Sequence, residues 1–262
     1  MNLFSSPDKG SRKISADLYE NLDEGFGSRR SAREVIPLVL EIIQPQSVID
    51  VGCGVGSWLA VFQEFGLEDF LGVDVDYIDK KLLKIPEDKY LPFDLKKPLK
   101  LDRQFDLVMC LEMAAYLPSE CAETLVTSLT ELGSVVLFSS AVPFQDNPEV
   151  QVNQQWPEYW VNFFQQKGYV VIDCLREKIW KNQNISWWFS QNMLLFVKQD
   201  YLESHERLKR ELENTRTAQL SLVHPQMYME QHTLLKPERR VRDILAELGV
   251  ATTKTLKRRF GG

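Results

Sequence analysis

Short apolar runs alternate along the first part of the chain with longer segments whose apolar residues recur at helical spacing. Runs of the strand type occur at SVIDV (47–51), FLGVDV (70–75), FDLVMCLE (105–112) and SVVLFSS (134–140). Segments of the helical type occur at SAREVIPLVLEII (31–43), SWLAVFQEF (57–65) and SECAETLVTSLTEL (119–132). Repeated alternation of strand and helix predicts an α/β fold, with a mostly parallel sheet covered by helices on both faces. Ser31 is the predicted N-cap of the first helix.

The alternation stops after Ser140. An amide-rich insertion at 141–168 ends in the helical pattern WPEYWVNFFQQKG, and two further strands are predicted at YVVIDCL (169–175) and QNMLLFVKQ (191–199). These strands can form an antiparallel end of the sheet. A charged helix is predicted at 201–220, and another helix with a basic tail follows from 237. We therefore predict an N-terminal segment 1–30 partly covering a ligand site, a main domain 31–198 and a helical extension 199–262.

The charge distribution argues against a nucleic-acid substrate. The net charge of the chain is −6, and from Gln199 onward 12 basic and 9 acidic residues give +3, so the preceding 198 residues carry −9. Nucleic-acid binding depends on basic contacts to phosphates, which an acidic body disfavours. The N-terminus lacks the pattern of a signal peptide, and no apolar stretch has the length of a membrane span. Four scattered cysteines without a C-x-x-C pair argue against a zinc site, and we expect a cytoplasmic protein.

The stretch DVGCGVGSW (50–58) raises the question of a ligand, because its glycines follow a buried strand directly. A phosphate-binding Walker loop requires Gly-Lys-Ser/Thr, which Ser57-Trp58 does not supply. A dinucleotide fingerprint requires G-x-G-x-x-G, and Ser57 stands at the position of its third glycine. The observed spacing is Asp-x-Gly-x-Gly-x-Gly. A tight strand-to-helix connection without a ligand is the remaining alternative.

The order of four short motifs resembles class I methyltransferases that depend on S-adenosylmethionine (SAM). The motifs are the glycine turn, Asp74 at the end of the second strand, Asp94 in PFDL, and FDLVMCLE. The resemblance implies that Asp50 orients the ammonium group of SAM, that Asp74 accepts its ribose hydroxyls, and that Asp94 holds its adenine. The implied cofactor-binding residues are Asp50, Gly52, Cys53, Gly54, Gly56, Trp58, Asp74, Val75, Asp94, Leu95 and Leu111.

A wider resemblance, over residues 19–230, is to a group of small bacterial methyltransferases found beside sugar, glycan and natural-product genes. It is carried by LDEGFGSRRSAREVIPLVLEIIQPQSVIDVGCGVGSW, VNQQWPEYW, WWFSQNMLLFV and LVHPQMY. It implies a Rossmann-like sheet whose last strand is antiparallel, and a small-molecule acceptor that bears a hydroxyl group, such as a sugar. The implied reaction is O-methylation. N- or carboxyl-methylation, and a SAM-binding subunit without catalysis, remain alternatives.

The chain departs from this group at two histidine positions. The group often reads Glu-Val-Ala-Glu-His-Leu-Pro where this chain reads EMAAYLP (112–118), and His-Val-Asn-Glu-Gln-Trp-Pro where this chain reads QVNQQWP (151–157). Tyr116 and Gln151 thus replace imidazoles that serve as bases or metal ligands, and no metal is expected. The catalytic candidates are Glu112, Tyr116 and Gln151, with the acids of the 146–149 loop as further possible bases.

Tryptophans cluster on the acceptor side of the chain. Five of the six lie between 156 and 188. Flat aromatic faces suit sugar rings, although packing of the added helix is the alternative. We assign Asn153, Trp156 and Trp187 to acceptor binding, and expect Trp58 to pack beneath the cofactor. The charged helix 201–220 is a possible oligomerisation element.

Overall fold

A computed structural model describes residues 28–76 and 78–234. Its strands are β1 Ser47–Val51, β2 Asp69–Asp74, β3 Tyr90–Pro92, β4 Leu107–Leu111, β5 Val135–Ser139, β6 Tyr169–Ile172 and β7 Leu194–Lys198. Its α-helices are α1 Ser28–Ile42, α2 Ser57–Glu64, α3 Ala122–Leu132, α4 Pro157–Gln166, α5 Arg176–Ile179, α6 Trp187–Asn192, α7 Gln199–Leu202, α8 Glu206–Asn214 and α9 Pro225–Leu234. Short 3-10 turns occupy Lys80–Leu82, Glu87–Lys89, Ala114–Tyr116, Ser119–Cys121 and Thr217–Gln219.

The strands of the described chain form one seven-stranded sheet in the order β3-β2-β1-β4-β5-β7-β6. The first five strands in this order pair in parallel, whereas β7 runs antiparallel to both β5 and β6. The chain order reverses between β1 and β4, so the carboxyl ends of these two strands open a crevice of the kind that binds ligands in α/β sheets. The predicted fold class, a Rossmann-like sheet with an antiparallel last strand, is confirmed.

Two apolar clusters cover the two faces of the sheet. Alternation along β1 sends Val48 to one cluster and Ile49 to the other, as expected when successive side chains point to opposite faces. On the first face α1, α2 and α6 contribute Val35, Leu59 and Phe189. Helices α3 and α4 cover the second face. The strands of the sheet centre are buried throughout, which explains why they read as continuous apolar runs.

The chain divides into two compact units, the first ending at Leu222 and the second starting at Val223. Helices α7 and α8 therefore belong to the same unit as the sheet, and Leu208 of α8 is buried in its core. The second unit contains α9. The predicted domain boundaries at 30 and 198 stay predictions. Of the segment 1–30 predicted to cover part of the cofactor site, residues 1–27 lie outside the described residues, as do the predicted helix 237–249 and the basic tail.

Two local predictions are wrong. Helix α1 begins at Ser28, so Ser31 lies inside it, where its buried hydroxyl accepts the Ser186 N–H at 3.0 Å instead of capping the helix. The single helix predicted at 201–220 is broken into α7, α8 and a 3-10 turn. At the break the His205 ring stacks on Tyr201 at 3.8 Å and its Nδ1 lies 2.6 Å from the Tyr201 carbonyl oxygen. Such side chain–backbone contacts compete with helix continuation.

A buried arginine ties several segments of the first unit together. Arg176 is 1% exposed and forms a bidentate ion pair with Asp173, with N···O distances of 3.0 and 2.6 Å. Its guanidinium also donates to the carbonyl oxygens of Gln191 at 3.0 Å, Leu220 at 2.7 Å and Gln219 at 3.4 Å. A planar group with five donors satisfies these partners at once, which a lysine cannot do.

We expect Arg176→Met to lower the free energy of unfolding by about 3 kcal/mol, because the half-buried Asp173 carboxylate and three carbonyls lose their donor. Urea unfolding followed by fluorescence measures the change. The matched control is Arg207→Met, which removes an exposed pair with Glu41 and should cost less than about 1 kcal/mol. Equal losses in the two variants would contradict the role assigned to Arg176.

Candidate functional site

The predicted site residues meet at the carboxyl edge of the parallel strands. Asp50 lies near the end of β1, Asp74 ends β2, and Leu111 ends β4 with Glu112 directly after it. Because parallel strands end at the same edge, these side chains surround the crevice between β1 and β4. The structure therefore brings the predicted glycine turn and the strand-end acids together.

The turn after β1 needs glycine for conformation and for space. Gly52, Gly54 and Gly56 have φ angles of +89°, +56° and +84°, a region that disfavours residues with a Cβ. A Cβ at Gly52 would lie 2.3 Å from Cγ of Met113, whereas one at Gly54 would meet nothing within 4 Å. The Gly52 and Cys53 N–H groups donate to the Val73 carbonyl at 2.7 and 3.2 Å. The turn is thus fixed against β2, with open space in front of Gly54.

Two buried carboxylates face this turn, and only one of them receives a hydrogen-bond donor on each of its oxygens. Asp74 accepts the Gly54 N–H and the Val75 N–H, both at 2.7 Å; these bonds oppose the rise in its pKa that burial causes. Asp50 is 2% exposed, and its Oδ1 atom has no hydrogen-bond partner. Burial, followed by the charge of Asp74, raises the pKa of Asp50 to about 7. The same burial raises the pKa of the Cys53 thiol well above its usual value.

The other cofactor candidates lie on different sides of the sheet edge. Trp58 is buried and packs edge-on against Phe189 at 5.1 Å, in the cluster beneath α2. Leu95 is buried in the cluster of the opposite face. Asp94 is half exposed, accepts the Lys96 N–H at 3.2 Å and lies 3.6 Å from the Lys97 ammonium. Asp94 therefore keeps one side open to solvent, unlike Asp50 and Asp74.

On the acceptor side, Glu112 is held by two amides that the sequence analysis missed. Gln145 Nε2 donates to Glu112 Oε2 at 2.9 Å, and Asn192 Nδ2 donates to Glu112 Oε1 at 3.0 Å. Burial raises the pKa of Glu112, and these bonds oppose the rise. The partners lie 33 and 80 residues away; the excess of amides at 145–155 does not single out Gln145, and no sequence pattern marks Asn192.

The two residues that replace the histidines of the resembling group are partners of each other. Gln151 Nε2 donates to the Tyr116 hydroxyl at 3.3 Å. Gln151 is 5% exposed, and its Oε1 atom has no hydrogen-bond partner. Burial, opposed by the Gln151 bond, raises the pKa of Tyr116, so this phenol stays neutral near pH 7. A neutral phenol and an amide are weak proton acceptors at that pH.

The acceptor candidates differ in exposure. Asn153 is 1% exposed, accepts from Gln155 Nε2 at 3.1 Å, and donates its backbone N–H to the Ala115 carbonyl at 3.0 Å. Trp156 is 41% exposed directly before α4. Trp187 is buried and meets Trp188 edge-on at 5.6 Å. Trp156 is therefore the tryptophan of this set with a face available to a ligand.

The described residues contain neither a metal-binding cluster nor a helix that could span a membrane. Residues 28–76 and 78–234 contain no group of three or more His, Cys, Asp or Glu side chains arranged to hold a metal. Within the same ranges, no helix is long and apolar enough to cross a membrane.

We expect Asp50→Asn to stabilise the protein above pH 7. Because the folded-state pKa is raised from 3.8 to about 7, the native state binds more protons between these values, and wild-type stability falls as pH rises through this window. The variant lacks this carboxylate, so its free energy of unfolding should exceed that of the wild type by on the order of 3 kcal/mol at pH 8. This difference should vanish below pH 4. Urea unfolding at pH 4, 6 and 8 measures it. A difference independent of pH would contradict the prediction.

Solved structures of similar fold come from several bacteria. DesVI of Streptomyces venezuelae matches with a TM-score of 0.53 at 15% identity, covering 71% of this chain and all of that one. SAM-bound CalS10 of Micromonospora echinaspora, an amino pentose methyltransferase of calicheamicin biosynthesis, gives 0.52 at 13% identity, covering 72% of this chain and 100% of that one. Magnesium protoporphyrin IX methyltransferase of Synechocystis PCC 6803 with bound S-adenosylhomocysteine (SAH) gives 0.52 at 16%, covering 72% and 90%.

No curated protein matches the chain. A family model described as a methyltransferase domain matches residues 24–192, which is more than half of the chain. This match covers the glycine turn, the strand-end acids and the acceptor-side amides. The prediction of a SAM-dependent methyltransferase with SAM as cofactor is thereby confirmed, and the chain belongs to the methyltransferase-domain family.

Proposed function

We propose that this enzyme transfers the methyl group of SAM to a hydroxyl oxygen of a sugar or a similar small natural product. The observation that carries the proposal is the Glu112 carboxylate, half-buried beside neutral amides and a phenol on the acceptor side of the sheet edge. Neutral hydrogen-bonding groups match a polyhydroxylated acceptor, and one carboxylate can accept the single proton that leaves the reacting hydroxyl.

The residues at the glycine turn fit SAM. The unpartnered Oδ1 of Asp50 is suited to the ammonium group of SAM, and the open space before Gly54 permits its methionine part to approach the backbone. Asp74 has lone pairs left for ribose hydroxyls, and Asp94 has an open side for the adenine amino group. We assign the walls of the SAM site to the remaining predicted residues: Cys53, Gly56, Trp58, Val75, Leu95 and Leu111. When bound, SAM supplies an electrophilic methyl group on a sulfonium.

Glu112 is the base that the geometry favours. Its carboxylate is oriented by two side-chain donors, and its pKa is raised above that of an exposed glutamate, which makes it a stronger proton acceptor. Tyr116 stays protonated and Gln151 cannot titrate, so these two groups orient the acceptor through hydrogen bonds instead. Asn153 and Trp187 support this wall from buried positions, and Trp156 offers a ring face to the acceptor.

A comparison of two glycines with positive φ distinguishes the effect of a cofactor contact from the effect of backbone strain. Gly54 and Gly66 have φ angles of +56° and +91°, and a Cβ at either position would meet nothing within 4 Å. We expect Gly54→Ala and Gly66→Ala to cost similar stability, about 1 kcal/mol each. Only Gly54→Ala should weaken SAH binding, by about tenfold or more, because its methyl group enters the space assigned to SAM. Calorimetry with SAH measures affinity, and thermal unfolding measures stability. Equal SAH affinity in both variants would remove Gly54 from the cofactor site.

The acceptor class is tested with methyl-labelled SAM and a panel of monosaccharides, nucleotide sugars, amino sugars and phenols. We expect label on a hydroxyl oxygen of a sugar, identified by mass spectrometry and NMR. Glu112→Gln should lower kcat by about 10²–10⁴-fold, whereas Tyr116→Phe should lower it by less. Label on nitrogen or carboxylate would replace the proposed reaction with N- or carboxyl-methylation. SAH binding without turnover on any compound would favour a non-catalytic partner subunit.

A further inference from the structure

Glu112, Gln145 and Asn192 form a closed hydrogen-bonded ring. Besides the two bonds to Glu112, Asn192 Nδ2 donates to Gln145 Oε1 at 2.8 Å. The ring joins three separate elements: the end of β4, the insertion after β5 and the end of α6. Gln191 Nε2 donates to Asn192 Oδ1 at 3.0 Å, so the Asn192 amide is fixed in turn. Each carboxylate oxygen of Glu112 receives one donor and keeps a further acceptor site free.

Backbone strain marks the same ring. Among the described residues, three that are not glycine have positive φ: Gln44 at +52°, Glu112 at +57° and Phe144 at +68°. Two of the three belong here, since Glu112 is a ring member and Phe144 immediately precedes Gln145. Left-handed conformations are unfavourable for such residues, and they persist where the surrounding structure holds them. Both strained positions therefore lie at or next to the Glu112–Gln145 hydrogen bond.

We propose that Gln145 and Asn192 are positioning residues, which hold the Glu112 carboxylate in the orientation that receives the proton of the acceptor hydroxyl. This inference rests on the proposed function, in which Glu112 is the base. Neither amide touches the reacting atoms by this assignment. Both act through Glu112, because a buried carboxylate without donors would take up a proton and lose its value as a base.

Amides suit this task because they donate without titrating. A histidine or lysine at either position would add a charge to the site and exchange protons with the acceptor, whereas Gln and Asn do neither. The titratable groups that interact electrostatically with Glu112 are Cys110 of β4 and Tyr116, and burial raises the pKa of both. They stay neutral near pH 7. The side-chain donors of Asn192 and Gln145, together with Ser139, are therefore what stabilises the ionised form of Glu112.

The test follows the titration of Glu112 in the SAH-loaded full chain, labelled with carbon-13 at the glutamate carboxyl groups. Glu112→Gln assigns the signal. We expect Gln145→Met and Asn192→Leu each to raise the Glu112 midpoint by about one pH unit, and the double variant to raise it further. Gln155→Met is the matched control, since Gln155 is a half-buried glutamine of the same insertion whose amide binds Asn153. It should leave the midpoint unchanged.

An unchanged Glu112 midpoint in folded Gln145→Met overturns the inference, and this half-buried loop position decides the matter if Asn192→Leu does not fold. Kinetics on a panel compound that the wild type methylates give a second readout. The acidic limb of the kcat profile should move upward with the NMR midpoint, at constant KM for SAM. Failure of the proposed function has a different signature: full activity of Glu112→Gln, whatever the midpoints are. Loss of activity in Glu112→Gln with unshifted midpoints in the ring variants overturns only the positioning role.

Discussion

Burial of carboxylates at one edge of the sheet is the constraint on which the rest of the site depends. A carboxylate removed from water needs donors, or it becomes protonated. Three carboxylates at this edge differ in how far the chain supplies these donors. Asp74 takes backbone N–H groups from the glycine turn and from its own strand end. Glu112 takes side-chain amides from distant elements. Asp50 keeps one oxygen without a donor, and this is the carboxylate that the cofactor ammonium completes in our proposal.

The difference between these solutions reflects what each carboxylate does. Backbone donors are fixed by the fold, so Asp74 is held rigidly, which suits the role of hydroxyl acceptor that our proposal gives it. An unpaired acid lowers stability, a cost that folds accept at sites where a ligand supplies the missing partner. The side-chain donors of Glu112 leave it in one orientation with lone pairs free. The Tyr116–Gln151 pair extends the same logic, because two positions that hold imidazoles in the resembling group here hold neutral groups bonded to each other.

The sequence was sufficient to predict the sheet, its antiparallel end, and the glycine turn with the strand-end acids beside it. Buried parallel strands leave continuous apolar runs, and the glycine turn and Asp74 follow such runs directly, so short-range pattern locates them. Pattern did not reveal Gln145 and Asn192, because single amides in loops and helix ends carry no periodic signal and their partner lies up to 80 residues away. The break at His205 was missed for a related reason: charged residues fit a helix, and the local contacts of Ser204 and His205 with Tyr201 mark its break.

The acceptor side also depends on a residue far from the chemistry. Arg176 binds the Gln191 carbonyl, and the next residue, Asn192, donates to Glu112. The same guanidinium binds the carbonyls of Gln219 and Leu220, so the end of the first compact unit is connected to Glu112 through one buried guanidinium and a helix end. Packed cores transmit small displacements because they have few voids to absorb them. Orientation of Glu112 is therefore a property of the folded unit up to Leu222, and the strand ends alone do not determine it.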